Sequence, residues 1–319
     1  MSGAEVRVTA LAGGIGAGKF LRGLVRAVPP EAVTVVVNTA DDVEMHGLHV
    51  SPDLDSVTYW LADVHDRERG WGRRDESFRA TEELRRFDPD AAWFNLGDLD
   101  LATHLYRTRL LRQGRSLTEV TARIAARFGI ACRILPMSDD PVATRVEVLA
   151  EGRELDLHFQ EYWVRRRARD EVKQVRYAGV EAARPAPGVL QALQEADAIV
   201  LCPSNPVASL GPILAVAGVR EALAARRERV VGISGIVGGA PLAGMADKLM
   251  PVMGLEVSAA GAAAAYAGLL GAWVIDEVDR HLAPRIEASG VRVGVTDTIM
   301  TDDAAAEALA RFALGLVRA

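Results

Sequence analysis

The stretch Val6-Arg7-Val8-Thr9-Ala10-Leu11-Ala12-Gly13-Gly14-Ile15-Gly16-Ala17-Gly18-Lys19, continued by Phe20, Leu21, Leu24 and Val25, decides the fold. An apolar, β-branched run that ends in glycines and opens into a helical apolar period reads as strand, loop and helix. Pro29-Pro30 stop the helix, and residues 33–37 form a second strand. Such a unit begins a parallel α/β sheet and points backbone N–H groups and a helix N-terminus at an anion. The expected ligand is phosphorylated; the plainer reading of the loop is a tight turn that packs helix on strand.

Two well-known loops do not fit. Gly13 and Gly18-Lys19 match the spacing of a nucleotide-triphosphatase loop, but Phe20 stands where a Ser or Thr hydroxyl must meet magnesium. A dinucleotide fingerprint needs its third glycine further on and an acid at the end of strand two, and here that strand ends in Asn38-Thr39.

With 319 residues, 50% hydrophobic and 25% charged, the chain suits a soluble α/β domain with a sizeable core. A net charge of −6 argues against a nucleic-acid-binding surface. Cys132 and Cys202 adjoin apolar runs and read as buried free thiols, not as a disulfide or zinc framework. Met1-Ser2-Gly3-Ala4-Glu5 lacks the features of a signal peptide, and no apolar run reaches the roughly 18 residues of a membrane span. A cytoplasmic protein is expected.

Asp41, Asp42, Asp53 and Asp55 follow the second strand within fifteen residues. Open α/β sheets bind ligands beyond the carboxyl ends of their strands, so these acids lie where a ligand would. One from each pair can share a Mg²⁺ that grips a diphosphate. Helix capping by Asp55 or Ser56 would explain one acid, hardly four. Asp98 reads as the N-cap of a long helix, and His104 within that helix as a packing residue.

Residues 144–149 and 154–159 alternate around Glu151-Gly152 and predict a hairpin added to the sheet. The basic run at residues 165–169 is either a solvated face or a set of guanidinium groups turned to an anionic ligand. Strands at 198–202, 230–233, 273–275 and 291–295 alternate with helices at 213–225, 258–270 and 304–316. The loop holding Ser204, Asn205 and Ser209 offers small donors before a helix begins. The fold class is therefore one α/β domain with a Rossmann-like, three-layer, mostly parallel sheet, a helical insertion near residues 60–130 and a β-hairpin addition.

Taken in order, Gly-Gly-x-Gly-x-x-Lys, Asn-Thr-Ala-Asp-Asp, Ser-Pro-Asp-Leu-Asp, Leu-Gly-Asp-x-Asp-Leu-Ala-Thr-His, Pro-Met-Ser-Asp, Phe-Gln-Glu-Tyr-Trp-Val-Arg and Pro-Ser-Asn-Pro-x-x-Ser-x-Gly-Pro-Ile-Leu span nearly the whole chain. The series resembles the 2-phospho-L-lactate transferase family of coenzyme F420 biosynthesis, whose actinobacterial members act as phosphoenolpyruvate transferases. The resemblance implies a Mg²⁺-dependent attack by the deazaflavin alcohol FO on a guanosine diphosphate-linked donor, with release of GMP. It also implies that Asp42 and Asp55 hold the metal and orient the acceptor, with Asp41 and Asp53 in reserve. Asn95 and Asp98 would hold FO. Asn38, Thr39 and the phosphate loop of Gly13, Gly14, Gly16 and Lys19 would adjoin the substrates, with Ser204, Asn205 and Ser209 on the guanosine nucleotide. One departure is Ser234-Gly235-Ile236, where the family pattern has Ser-Pro-Ile. A regulatory protein of related fold that binds UDP-sugars is the competing reading; Ser51-Pro52-Asp53-Leu54-Asp55 and residues 159–165 favour the transferase. A homodimer is the expected assembly.

Overall fold

The computed structural model describes residues 6–90 and 93–317, so the Met1 to Glu5 segment read above lies outside the described residues. The central sheet takes its strands in chain order as β1 (Val8–Ala12), β2 (Val33–Val37), β3 (Arg133–Pro136), β4 (Ala198–Leu201), β5 (Val230–Ile233), β6 (Ala272–Ile275) and β7 (Arg292–Val295). Their spatial order is β7-β6-β5-β4-β1-β2-β3, and every pairing is parallel. The order reverses between β1 and β4, which opens a crevice at their carboxyl ends.

The Rossmann-like three-layer reading holds. β1, β4, β5 and β6 bury every residue, as strands covered by helices on both faces must. Helix α1 (Gly14–Ala27) follows β1 and lies with the last helix, α6 (Asp303–Gly315), on one face. The two helices touch backbone to backbone: a Cβ on Gly23 would come within 2.1 Å of the Ala306 carbonyl carbon. Arg22 pairs with Asp303, and Arg26 with Glu307 at 3.2 Å, beside that contact.

Between β2 and β3 the chain runs through the short antiparallel pair Val43–Met45 and Leu48–Val50, then α2 (Pro52–Leu61), α3 (Arg79–Phe87), α4 (Asp98–Arg112) and α5 (Leu117–Arg127). α5 begins in a full capping box between Ser116 and Glu119.

Three sequence expectations need correction. The hairpin does not extend the central sheet: Ala143–Ala150 pairs with both Arg153–His158 and Glu171–Ala178 in a separate three-stranded antiparallel sheet. The expected helix over 213–225 is two short helices, Leu210–Ala215 and Val219–Ala224, parted where Gly218 takes φ +81°. The helix expected over 258–270 ends early, as Ala259–Ala264.

Candidate active site

The loops after β1 and β4 meet at the crevice. Ser204 Oγ donates to the Gly13 carbonyl at 2.9 Å. Gly16 packs so closely that a Cβ there would stand 2.4 Å from the Pro203 carbonyl oxygen. Asn205 Oδ1 accepts from the N–H groups of Val207 and Ala208 at 2.9 and 3.1 Å, which shapes the β4 loop from within. Ser209 is buried against Gly13. Lys19 lies on the flank of α1, its Nζ 5.9 Å from the centre of the Trp60 ring.

Asp53, on the first turn of α2, reaches the N-terminus of α1, where a Cβ on Gly13 would lie 2.5 Å from its Oδ2. Asn38 Nδ2 donates to the same oxygen at 2.9 Å, while Asn38 Oδ1 accepts from Ala40 N–H. Burial, with the Asp42 charge nearby, pushes the Asp53 carboxyl up to about 7 despite the Asn38 hydrogen bond. Asp41 is buried next to it; burial and then the Asp53 charge raise it well above the usual carboxylate range. Its Oδ2 receives Gln160 Nε2 at 3.4 Å, and its Oδ1 has no partner. Asp42 Oδ2 accepts from Ser51 Oγ at 2.7 Å and lies 2.9 Å from His49 Nε2. Burial raises Asp42 too, and its Oδ1 is likewise unpartnered. Thr39 is buried between Asn38 and these acids in sequence, with its hydroxyl unbonded.

Asp55 has a different setting. Arg107 of α4 forks onto both its oxygens, Nη1 at 3.0 Å and Nη2 closer still. His104 Nδ1 stands 3.6 Å from Asp55 and its Nε2 3.3 Å from Asp100, which also accepts from Tyr59 Oη at 2.6 Å. Asp55, Asp100 and His104 have metal-ligand spacing, yet the Arg107 guanidinium already supplies a cation there. Arg107 and His104 were absent from the sequence-based ligand set. They share a helix face with Asp100 at spacings of four and three, a polar stripe visible in the sequence.

The three-stranded sheet covers the acids rather than the sheet edge. Thr144 N–H donates to Ala40 O at 2.8 Å, and Tyr177 Oη to Val207 O at 2.6 Å. Gln160 precedes the single π-helical turn Glu161–Arg165. The basic run is a solvated face: Arg165 pairs with Glu161 at 3.3 Å and Arg166 with Asp170, while Arg167 and Arg169 are exposed.

Asp98 is no cap of its own helix, whose N-cap is Gly97; it accepts from Ser77 Oγ and from Ala80 N–H at 3.1 Å at the start of α3. Asn95 is exposed and bonded to Arg85. A cavity of about 290 Å³ opens beside the Val43–Met45 strand, lined by Met45, His46, Trp93, His158 and Glu161 among others. A second, of about 140 Å³, lies at the amino ends of β1, β2 and β3, near Arg7 and Arg133, at the opposite end of the strands from the acids. Both cysteines are buried free thiols; burial pushes Cys132 up to about 12. Among the described residues no helix is long and apolar enough to cross a membrane.

Comparison with known proteins agrees with this geometry. Two structures of protein BH3568 from Bacillus halodurans, one described as a member of the upf0052 family, superpose with TM-scores of 0.58 and 0.61. They cover 94% and 97% of this chain and 95% and 99% of theirs, and at 16% identity they show a shared fold alone. The phosphoenolpyruvate transferase of Streptomyces griseus is 49% identical, covering 98% of this chain and 98% of that one. The phosphoenolpyruvate transferase of Streptomyces coelicolor is 47% identical over the same shares. The 2-phospho-L-lactate transferase of Methanosarcina acetivorans is 43% identical over 96% of this chain and 97% of its own. The pattern of the family described as 2-phospho-L-lactate transferase CofD matches residues 8–309, and the chain belongs to that family.

Proposed function

We propose that the protein transfers a phosphoenolpyruvyl, or alternatively a 2-phospho-L-lactyl, group from a guanosine diphosphate-linked donor to the ribityl hydroxyl of FO, releasing GMP in coenzyme F420 biosynthesis. Relatives named phosphoenolpyruvate transferase at 46 to 49% identity over 98% of the chain favour the enolpyruvyl donor. The observation that carries the reading is the group of buried, undercompensated acids at the crevice where β1 and β4 part.

Those acids carry buried charge that a divalent cation would balance, while among the described residues Asp55, Asp100 and His104 are the trio with ligand atoms within 4.8 Å of one another. Asp41 and Asp42 each bury an oxygen without a partner, and three carboxylates share one dry region with amide and hydroxyl donors and one imidazole. Buried like charges protonate or bind a cation. We assign Mg²⁺ to Asp41, Asp42 and Asp53 rather than to Asp55, whose oxygens Arg107 occupies. When bound, Mg²⁺ neutralises the charge of a diphosphate and its leaving group. The protein's own part is positional. Gly13, Gly14 and Gly16, at the N-terminus of α1, are assigned to the donor phosphates, and Ser204, Asn205 and Ser209 to the nucleotide side; Gly13 and Gly16 are packed closely by Asp53, Ser209 and the Pro203 carbonyl. Lys19, whose Nζ lies over the Trp60 ring, is assigned to charge, not to the cradle. The cavity beside Trp93 and His158 is assigned to the planar acceptor. Asn95 and Asp98 are committed to α3 and given no direct contact with the acceptor. The chain works as a cytoplasmic homodimer in this reading.

The test is FO binding by fluorescence with and without Mg²⁺, beside UDP-N-acetylglucosamine, followed by assay of GMP release with each donor. Micromolar FO binding and Mg²⁺-dependent GMP release are expected. UDP-sugar binding with no response to FO would sink the transferase reading.

A further inference from the structure

The acids at the crevice are carried by loops and by the first turn of α2, none of which is stiff by itself. What fixes them comes from α4. Arg107, only 2% exposed, forks onto Asp55 and also donates Nη1 to the His49 carbonyl at 3.4 Å. The next residue, Thr108, accepts the His49 N–H on Oγ1 at 2.8 Å. His49 is thus held on both sides of its backbone, and its imidazole lies 2.9 Å from Asp42. Asp55 is two residues beyond Asp53 on the same helical turn. One turn of α4 therefore reaches Asp42 through His49 and Asp53 through Asp55.

We propose that Arg107, seconded by Thr108, is the positioning residue of the site, setting Asp42 and Asp53 in the arrangement that transfer requires. Arg107 is buried and spends its bonds on the protein; its planar fork grips a carboxylate and a carbonyl from two separate elements at once, which a lysine ammonium cannot copy. The inference rests on the function proposed above, and its test separates the two.

Arg107→Lys keeps the charge and loses the fork. Thr108→Val keeps the shape and loses one hydroxyl, so it folds even where the first variant does not. Steady-state kinetics with FO and donor, thermal melting, and Mn²⁺ binding followed by electron paramagnetic resonance are measured on the full chain. For Arg107→Lys we expect kcat to fall about 30-fold with both KM values near the parent's, and Mn²⁺ to bind about tenfold more weakly. Thr108→Val should lower kcat about threefold in the same pattern, with an unchanged melting temperature. Variants that melt lower yet keep the parent's kcat and Mn²⁺ affinity would make Arg107 and Thr108 merely structural and overturn the inference. If Arg107→Lys does not fold, a Thr108→Val protein equal to the parent overturns it alone. A parent that binds Mn²⁺ but transfers nothing sinks the function reading and leaves the inference to the Mn²⁺ data. A parent that does neither sinks both.

Discussion

Asp53 and Asp55 sit two residues apart on one turn of α2, equally buried, yet one shares a dry region with Asp41 and Asp42 while the other lies in the grip of Arg107. The paired carboxylate has its charge balanced inside the fold. Those on the other side are bonded by amide, hydroxyl and imidazole groups, with Arg107 only a lesser influence on Asp42, so burial raises them. In the function proposed above, the difference separates carboxylates that hold the structure together from carboxylates that meet a ligand from solution.

Removing the balancing cation should give the largest effect. Arg107→Met leaves Asp55 buried and uncompensated, and denaturant unfolding should show a loss of about 3–5 kcal/mol. A loss below about 1 kcal/mol would mean that water reaches Asp55 and that the two settings are alike. Asp41→Asn should move stability the other way, by about 1 kcal/mol of gain near pH 8, because it removes a carboxyl that burial raises well above its ordinary range. The same variant should lose about 100-fold in transfer. Normal turnover would remove Asp41 from the second group.

A third effect sharpens the contrast through pH. Asp53 is pushed from 3.8 to about 7, so between those values the folded protein keeps a proton that the unfolded chain has released. Its contribution therefore weakens stability progressively as pH rises through that window and is level outside it. Asp53→Asn should gain on the parent by on the order of 2 kcal/mol between about pH 5 and pH 8 in metal-free buffer. Parallel stability curves for the two proteins would show that Asp53 is ionised throughout.

The glycine loop, the four acids and the alternation of strands and helices are all local patterns, and the sequence showed them. The partners that divide the acids into two kinds are not local. Arg107 meets Asp55 across 52 residues and Gln160 meets Asp41 across 119. A carboxylate's neighbours in the sequence say where its backbone goes, not which charge comes to meet it. The third strand of the small sheet escaped for a related reason: half of Glu171–Ala178 is exposed, three of its residues are charged, and its register slips near Val148, so it lacks a clean alternation. Asp98 was misread as a cap because spacing identifies a helix start but not the neighbouring helix that needs the acceptor more.

Helix α1 has almost no freedom. Gly16 meets the Pro203 carbonyl, Gly18 would bring a Cβ within 2.4 Å of the Trp60 ring, and Gly23 lies on the backbone of α6. With three sides blocked at contact distance, α1 forms a fixed floor to the crevice. A side chain larger than hydrogen at any of these three glycines would have to be accommodated by moving the Pro203 loop, α2 or α6.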